Sequence, residues 1–252
     1  MIDVREDFRV IASVIVSKGK VVKGAQFRNH RYVGDPINTC RIFSNKFIDE
    51  LYVIDISASA DGRVISTDFV NTLSEEIYAP LIVGGGVNSP SAAVALVRSG
   101  ADRVSLNSGA LRCPQLIRSV ADEIGGSSTV VAIDIAFSKH GKYEVVVPRK
   151  LKRKGIDPVE WAQEAESYGA GEILINSVEQ EGTWSGANLE LAELISSNIS
   201  APVVYSGGTR DMIDIEKLAG IAGVSGVSVG AMFTFAGIGQ GVLLSYPDMS
   251  RD

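Results

Sequence analysis

Cysteine and histidine are scarce: the 252 residues hold two of each. Cys40 and Cys113 stand in no motif spacing, which excludes a disulfide framework and points to a reducing compartment. His30 and His140 stand alone, so a metal centre of clustered ligands has nothing to build on, and neither metal nor cofactor is expected. Long apolar runs are missing too. None reaches the ~18 residues of a membrane-spanning helix. The acidic opening Met1-Ile2-Asp3-Val4-Arg5-Glu6-Asp7 does not read as a signal peptide, so a cytoplasmic location is expected. Basic charge is in deficit, with 24 Lys and Arg against 30 Asp and Glu, which argues against nucleic acid as a partner.

What the chain does have is repetition. Ala79-Pro80-Leu81-Ile82-Val83-Gly84-Gly85-Gly86 returns as Ala201-Pro202-Val203-Val204-Tyr205-Ser206-Gly207-Gly208, an offset of 122 residues (201 − 79). Each copy is an apolar strand running into glycines, where backbone N–H groups can approach a ligand. A helix N-terminus following such a loop favours an anion. Two copies predict two phosphate sites related by an internal two-fold, and a ligand with a phosphate at each end. Glu50-Leu51 and Glu172-Ile173 repeat at the same offset.

Val/Ile-rich runs alternate with helical stretches, the pattern of βαβ units around a parallel sheet. Strands are expected near 9–16, 50–55, 80–84, 102–106, 130–135, 172–176, 202–206 and 226–230. Helices are expected at Ser89 to Ser99, Pro114 to Ile124, Pro158 to Tyr168 and Leu189 to Ser196. Eight strands in two similar halves predict one (β/α)8 TIM barrel over 1–252, with half-barrels of about 1–124 and 125–252. An open doubly wound sheet ranks lower, because no G-x-G-x-x-G follows the first strand. Past the eighth strand the chain is glycine-rich, so a curtailed C-terminal helix is expected, with Val242 to Tyr246 as the one remaining apolar element.

In a barrel, chemistry collects at the C-terminal ends of the strands. Asp55 and Ser57, Asn107 and Ser108, Asp134, Asn176 with Gln180 and Glu181, and Ser206 fall there. Asp134 is a lone acid in an apolar strand, which suits either a tuned acid–base group or a structural partner for a loop. At the opposite end Arg9, Glu50, Arg103 and Glu172 stand at strand starts. They read as a salt-bridge ring, or as edge charges facing water. The run Arg149-Lys150-Leu151-Lys152-Arg153-Lys154 is a solvated loop or an attractor for an anionic ligand.

Several of these segments resemble the cyclase subunit of imidazole glycerol phosphate synthase, the HisF family of histidine biosynthesis. They include Lys20-Val21-Val22-Lys23-Gly24, Ile48-Asp49-Glu50-Leu51, Asp55-Ile56-Ser57-Ala58-Ser59, Val83-Gly84-Gly85-Gly86-Val87, Gly100-Ala101-Asp102-Arg103-Val104-Ser105 and Gly169-Ala170-Gly171-Glu172-Ile173-Leu174. The resemblance implies a (β/α)8 barrel with a HisH-type glutaminase docked below it. Ammonia then crosses the barrel, and an imidazole ring closes at the top on a substrate with two phosphates, a lyase-class reaction. It implies an ammonia gate of Arg9, Glu50, Arg103 (in place of the family's lysine) and Glu172, with Asp102 meeting the glutaminase. Phosphate is expected on Gly84, Gly85, Gly86, Asn107 and Ser108, and on Ser206, Gly207, Gly208, Gly230 and Ala231.

The chain departs from the family pattern in three places. Asp134 matches the strand-five catalytic aspartate, but the strand-one aspartate is Ile15. The Ser-Gly after strand five is Arg149-Lys150, and the last helix is curtailed. That combination is similar to the HisF-like proteins of bacterial surface-polysaccharide (lipopolysaccharide) genes. The leading expectation is a barrel that passes ammonia on for acetamidino modification of a sugar, with an ATP-dependent sugar amidotransferase as a further partner. The alternative is the histidine-pathway cyclase itself. A third reading is the related phosphoribosyl isomerase-like barrel acting alone, which also wants a strand-one aspartate and has no use for a charged gate.

Overall fold

The computed structural model describes residues 7–46, 48–138, 141–147, 152–153, 155–237 and 239–246. Strand one of the barrel is Arg9–Ser17, followed by Glu50–Asp55, Leu81–Gly84, Arg103–Leu106, Thr129–Phe137, Glu172–Ser177, Val203–Ser206 and Val224–Val229 as strands two to eight. Each pairs in parallel with the next, and strand eight returns to strand one with Arg9 opposite Gly226. The closed circuit is a (β/α)8 barrel, and it excludes the open sheet. Helices such as Pro36–Ser44, Pro90–Arg98, Pro158–Ser167 and Leu189–Ser196 lie between the strands. Among the described residues no helix is long and apolar enough to cross a membrane.

The strand sequences account for this. Val- and Ile-rich runs suit strands buried on both faces. One set of side chains packs against the helices in a large core. The other set, including Ile11, Tyr52, Ile82, Val130, Leu174 and Val204, fills the lumen as a separate cluster. The internal repeat is also visible in three dimensions. A Cβ on Gly85 would lie 2.6 Å from the Asp55 carbonyl oxygen, and one on Gly207 would lie 2.6 Å from that of Ser177. Both glycines have positive φ, 130° and 111°.

Two segments differ from expectation. Lys20–Ala25 and Arg28–Gly34 form an antiparallel hairpin that continues strand one. Its turn is made by Gln26 and Phe27 at φ 51° and 58°, without the glycine or asparagine that usually announces such a turn. Tyr143–Val147 folds back on the end of strand five, with Val145 opposite Ile135. Most of the basic run 149–154 lies outside the described residues. Among the described residues after strand eight, the one helix is the short Ala231–Thr234. Phe235 then bridges to Val242, and Tyr246 donates its hydroxyl to the Val10 carbonyl at 3.1 Å.

The helices that follow the glycine loops cap their own N-termini. The Ser89 hydroxyl accepts from the Ala92 N–H at 3.2 Å, and the Asp211 carboxylate accepts from the Asp214 N–H at 3.1 Å. The Asp211 carboxylate adds negative charge at the second of these helix starts, whereas the Ser89 hydroxyl leaves the first uncharged.

Candidate functional site

At the N-terminal end of the barrel, Arg9, Glu50, Arg103 and Glu172 form a closed ring. Arg9 donates to Glu50 at 2.7 Å and also to Glu172, while Arg103 donates to Glu172 at 2.5 Å and also to Glu50. The glutamates are related by the 122-residue repeat. The arginines are not: Ser225, on strand eight, holds the place related to Arg103, and it accepts from Arg9 at 3.1 Å. Both glutamates are 3% exposed. Burial opposes the charge of Arg9, but its two carboxylates outweigh that and hold its pKa above the ordinary value. Burial raises the Glu50 pKa against the pull of both arginines. Removing one member would strand a buried charge, at a cost of about 3–5 kcal/mol.

Beside the ring Asp102 is exposed, yet its carboxylate accepts from the Leu81 N–H at 2.7 Å. It fastens the start of strand three as well as facing solvent. In the lumen above, the Tyr52 hydroxyl meets the Ser105 hydroxyl at 3.0 Å. Burial pushes the Tyr52 pKa up to about 12, so the phenol stays protonated near neutrality. Tyr52 follows Glu50 by two residues and therefore faces the same way, into the lumen. Sequence reasoning passed over it, since an aromatic in an apolar strand reads as core.

At the C-terminal end Asp134 is 5% exposed. It accepts from the side-chain amides of Asn107 at 2.7 Å and Asn176 at 3.2 Å. Burial pushes its pKa up to about 6, against the stabilising pull of the two amides. That places the carboxyl where it can both hold and release a proton near neutral pH. Ile15 lies at the same end on strand one, in register with Ile54, and offers no proton. Asp55 is not a free acid. It accepts from the Ser57 N–H and hydroxyl, from the Ala58 N–H, and from Arg63 at 2.7 Å.

The two glycine loops are not equivalent. Around Gly84, Gly85 and Gly86 the backbone is packed, and a Cβ on Gly86 would sit 1.9 Å from the Arg63 carbonyl oxygen. Asn107 makes no capping bond to the short helix Ser108–Arg112, and its Nδ2 donates to Asp134. Beyond Ser206, by contrast, Gly207, Gly208, Gly230 and Ala231 line one cleft with Thr209 and Ser228. The Thr209 and Ser228 hydroxyls are buried without a hydrogen-bond partner. Lys23, 2% exposed, comes in from the hairpin, and its Nζ would lie 2.1 Å from a Cβ on Gly230. Burial lowers the Lys23 pKa, opposed by the charge of Glu181. Lys23, Thr209 and Ser228 were not singled out from sequence as site residues. For Lys23 the signal was available in Lys20-Val21-Val22-Lys23-Gly24.

The family model described as "Histidine biosynthesis protein" matches residues 9–238. An imidazole glycerol phosphate synthase subunit HisF of Streptomyces avermitilis is 38% identical over 227 residues, covering 90% of both chains. One from Thermococcus onnurineus is 42% identical over 201 residues and 79% of both, and one from Thermobifida fusca is 38% identical over 235 residues and 91% of both. This chain belongs to the HisF family.

Within the HisF barrel, then, one charged ring closes the lower end, and the buried carboxyl of Asp134 lies at the upper end. The cleft with unspent donors is at the second glycine loop rather than shared equally between two. Among the described residues no group of three metal-ligating side chains comes together. The named relatives are subunits of imidazole glycerol phosphate synthase. Their names give no support to the leading expectation of a polysaccharide role and favour the alternative.

Proposed function

We propose that this chain is the ammonia-accepting barrel of a glutamine-dependent complex, with a HisH-type glutaminase docked below and a phosphorylated substrate bound above. The observation that carries this reading is the closed ring in which both arginines bridge both glutamates. Two buried glutamates held by two half-buried arginines, at the end of a barrel that does no chemistry, are costly unless they control an entrance. The reaction favoured by the relatives is that of the imidazole glycerol phosphate synthase cyclase. In it Asp134, with a pKa near 6, serves as the proton-transfer group. Asn107 and Asn176 orient its carboxyl, and the cleft at Ser206 to Gly208, Gly230 and Ala231 holds one phosphate. Gly84 to Gly86 with Asn107 and Ser108 would hold the other.

A second reading rests on one residue. With Ile15 where the family pattern has an aspartate, Asp134 has no partner acid, and a missing acid–base group typically costs about 10²–10⁴-fold in rate. A barrel that only hands ammonia onward, to acetamidino modification of a surface-polysaccharide sugar, does not need that pair. Two measurements separate the readings. The purified chain is supplied with the histidine-pathway substrate and ammonia, and the gene is introduced into a histidine auxotroph lacking the cyclase. Turnover and growth support the cyclase. Neither, with a stable glutaminase complex, supports ammonia transfer alone. Absence of any glutaminase complex by sedimentation overturns the ammonia reading in both forms.

A further inference from the structure

The charges of this chain are unevenly placed. Residues 10–34 carry five Lys and Arg and no Asp or Glu, and residues 136–154 carry seven against Glu144 alone. These two stretches hold half of the 24 basic residues and one of the 30 acidic ones. Each contains a hairpin that extends a barrel strand at the upper end. In the first hairpin Arg28, Asn29, His30, Arg31 and Tyr32 are exposed in succession, so neither face of this strand is covered. It pairs with Lys20–Ala25 on one side, and among the described residues no strand lies on the other. The turn is fixed, because the Gln26 N–H donates to the Glu181 carbonyl at 2.8 Å. Lys18, Lys20, Arg28 and Arg31 are exposed, and no carboxylate among the described residues pairs with them. Two of them lie over aromatic rings instead. The Lys20 Nζ is 5.9 Å from the Tyr32 ring centroid, and the Arg31 guanidinium is 5.4 Å from that of Phe235. None of the four lines the cleft at the second glycine loop, so a phosphate held there does not account for them.

We infer that this hairpin docks on an anionic lipid surface, with its four cations among the headgroups and Tyr32 at the interface. Lys and Arg beside an exposed aromatic ring are the combination that interfacial segments use. A flat charged layer suits a projecting two-stranded hairpin. Single-stranded nucleic acid instead needs a groove and open aromatic faces for its bases, and here one face of each ring is taken by the chain's own cation. The net charge of −6 opposes the approach of the molecule as a whole. Contact is therefore made hairpin first, within a Debye length of about 8 Å at physiological salt. The upper end of the barrel then faces the lipid.

Cosedimentation of the full chain with vesicles tests this. Phosphatidylcholine vesicles with about 30% phosphatidylglycerol should bind it at about 50 mM salt, and pure phosphatidylcholine vesicles should not. Raising the salt to about 0.3 M should release it. A basic residue near an anionic surface is worth roughly fivefold in partitioning, so joint Lys18→Gln and Arg28→Gln should weaken binding about 25-fold. Joint Arg98→Gln and Lys217→Gln, in the last turns of two outer helices, removes as much exposed charge and should change binding less than about twofold. Tyr32→Ser should weaken binding without altering its salt dependence. No binding to the anionic vesicles, equal binding to neutral ones, or binding unaltered by Lys18→Gln and Arg28→Gln overturns the inference. Release by inorganic phosphate at constant ionic strength overturns it in favour of the phosphate cleft. Tighter binding of oligothymidylate than of vesicles, or a salt-sensitive dimer without lipid, overturns it in favour of nucleic acid or a second copy of the chain.

Discussion

Asp134 shows how a single carboxyl can be tuned by its surroundings. Burial raises its pKa to about 6 from an ordinary value of 3.8, while the Asn107 and Asn176 amides pull it down. The folded state therefore binds this proton more tightly than the unfolded chain does. Its contribution to stability is full below pH 4 and is lost as pH rises through about 6. A shift of roughly two units corresponds to about 3 kcal/mol at most. Asp134→Asn should raise the thermal midpoint at pH 8 and change it little at pH 4. The unpartnered Asn176 Oδ1 can accept from the new amide once the Asn176 side chain flips. Equal effects at both pH values would show that the carboxyl is not strained by burial. Asp134 was legible in the sequence because an acid interrupting an apolar strand is conspicuous. Tyr52 was not, since nothing in an apolar run says that its hydroxyl will find Ser105 across the lumen. Thr209 and Ser228 were hidden for the same reason: a hydroxyl left without a partner is a property of packing.

At the scale of elements, all eight barrel strands could be read from the chain, because burial on both faces leaves a near-continuous Val/Ile signature. The hairpin at Lys20–Ala25 and Arg28–Gly34 could not. Its tip is held by distant loops, with the Gln26 N–H donating to the Glu181 carbonyl at 2.8 Å and its side chain to the Glu179 carbonyl at 2.9 Å. Tertiary contacts there override turn propensity. The glycine loops invite the opposite question, whether their glycines serve a ligand or the packing. Gly86 and Gly62 have similar positive φ, 70° and 67°, so both incur the same conformational strain on mutation. Only Gly86 is crowded. A Cβ there would meet the Arg63 carbonyl oxygen at 1.9 Å, whereas one on Gly62 would have nothing within 4 Å. Gly86→Ala should therefore cost about 1–3 kcal/mol more than Gly62→Ala in urea unfolding. Equal costs would mean that the loop after strand three yields easily, and that its glycines are kept for a ligand.

For the molecule as a whole, the distribution of polar groups assigns different work to the two ends. The upper end has a tunable carboxyl and unspent donors, while the lower end has a saturated ring and, beside it, the exposed Asp102. Asp102 is the residue on which a glutaminase contact can be tested most directly, and the geometry dictates the choice of variant. Its carboxylate already accepts from the Leu81 N–H, so Asp102→Ala would loosen strand three and weaken docking for a trivial reason. Asp102→Asn keeps an acceptor for Leu81 and removes only the charge. Asp102→Lys removes the acceptor and reverses the charge. If the carboxylate pairs with a cation across the interface, Asn should weaken association with a HisH-type glutaminase, and Lys should weaken it further. Truncating one side of a buried charge pair commonly costs about 2–5 kcal/mol, much of it from the partner left unpaired. The loss should appear mainly in the dissociation rate, with the thermal midpoint of the isolated Asn variant unchanged. Surface plasmon resonance with immobilised glutaminase measures it. Unaltered association in Asp102→Asn, together with a lowered midpoint in Asp102→Lys, would reduce Asp102 to a fastening for strand three and move the docking contact elsewhere on the lower face.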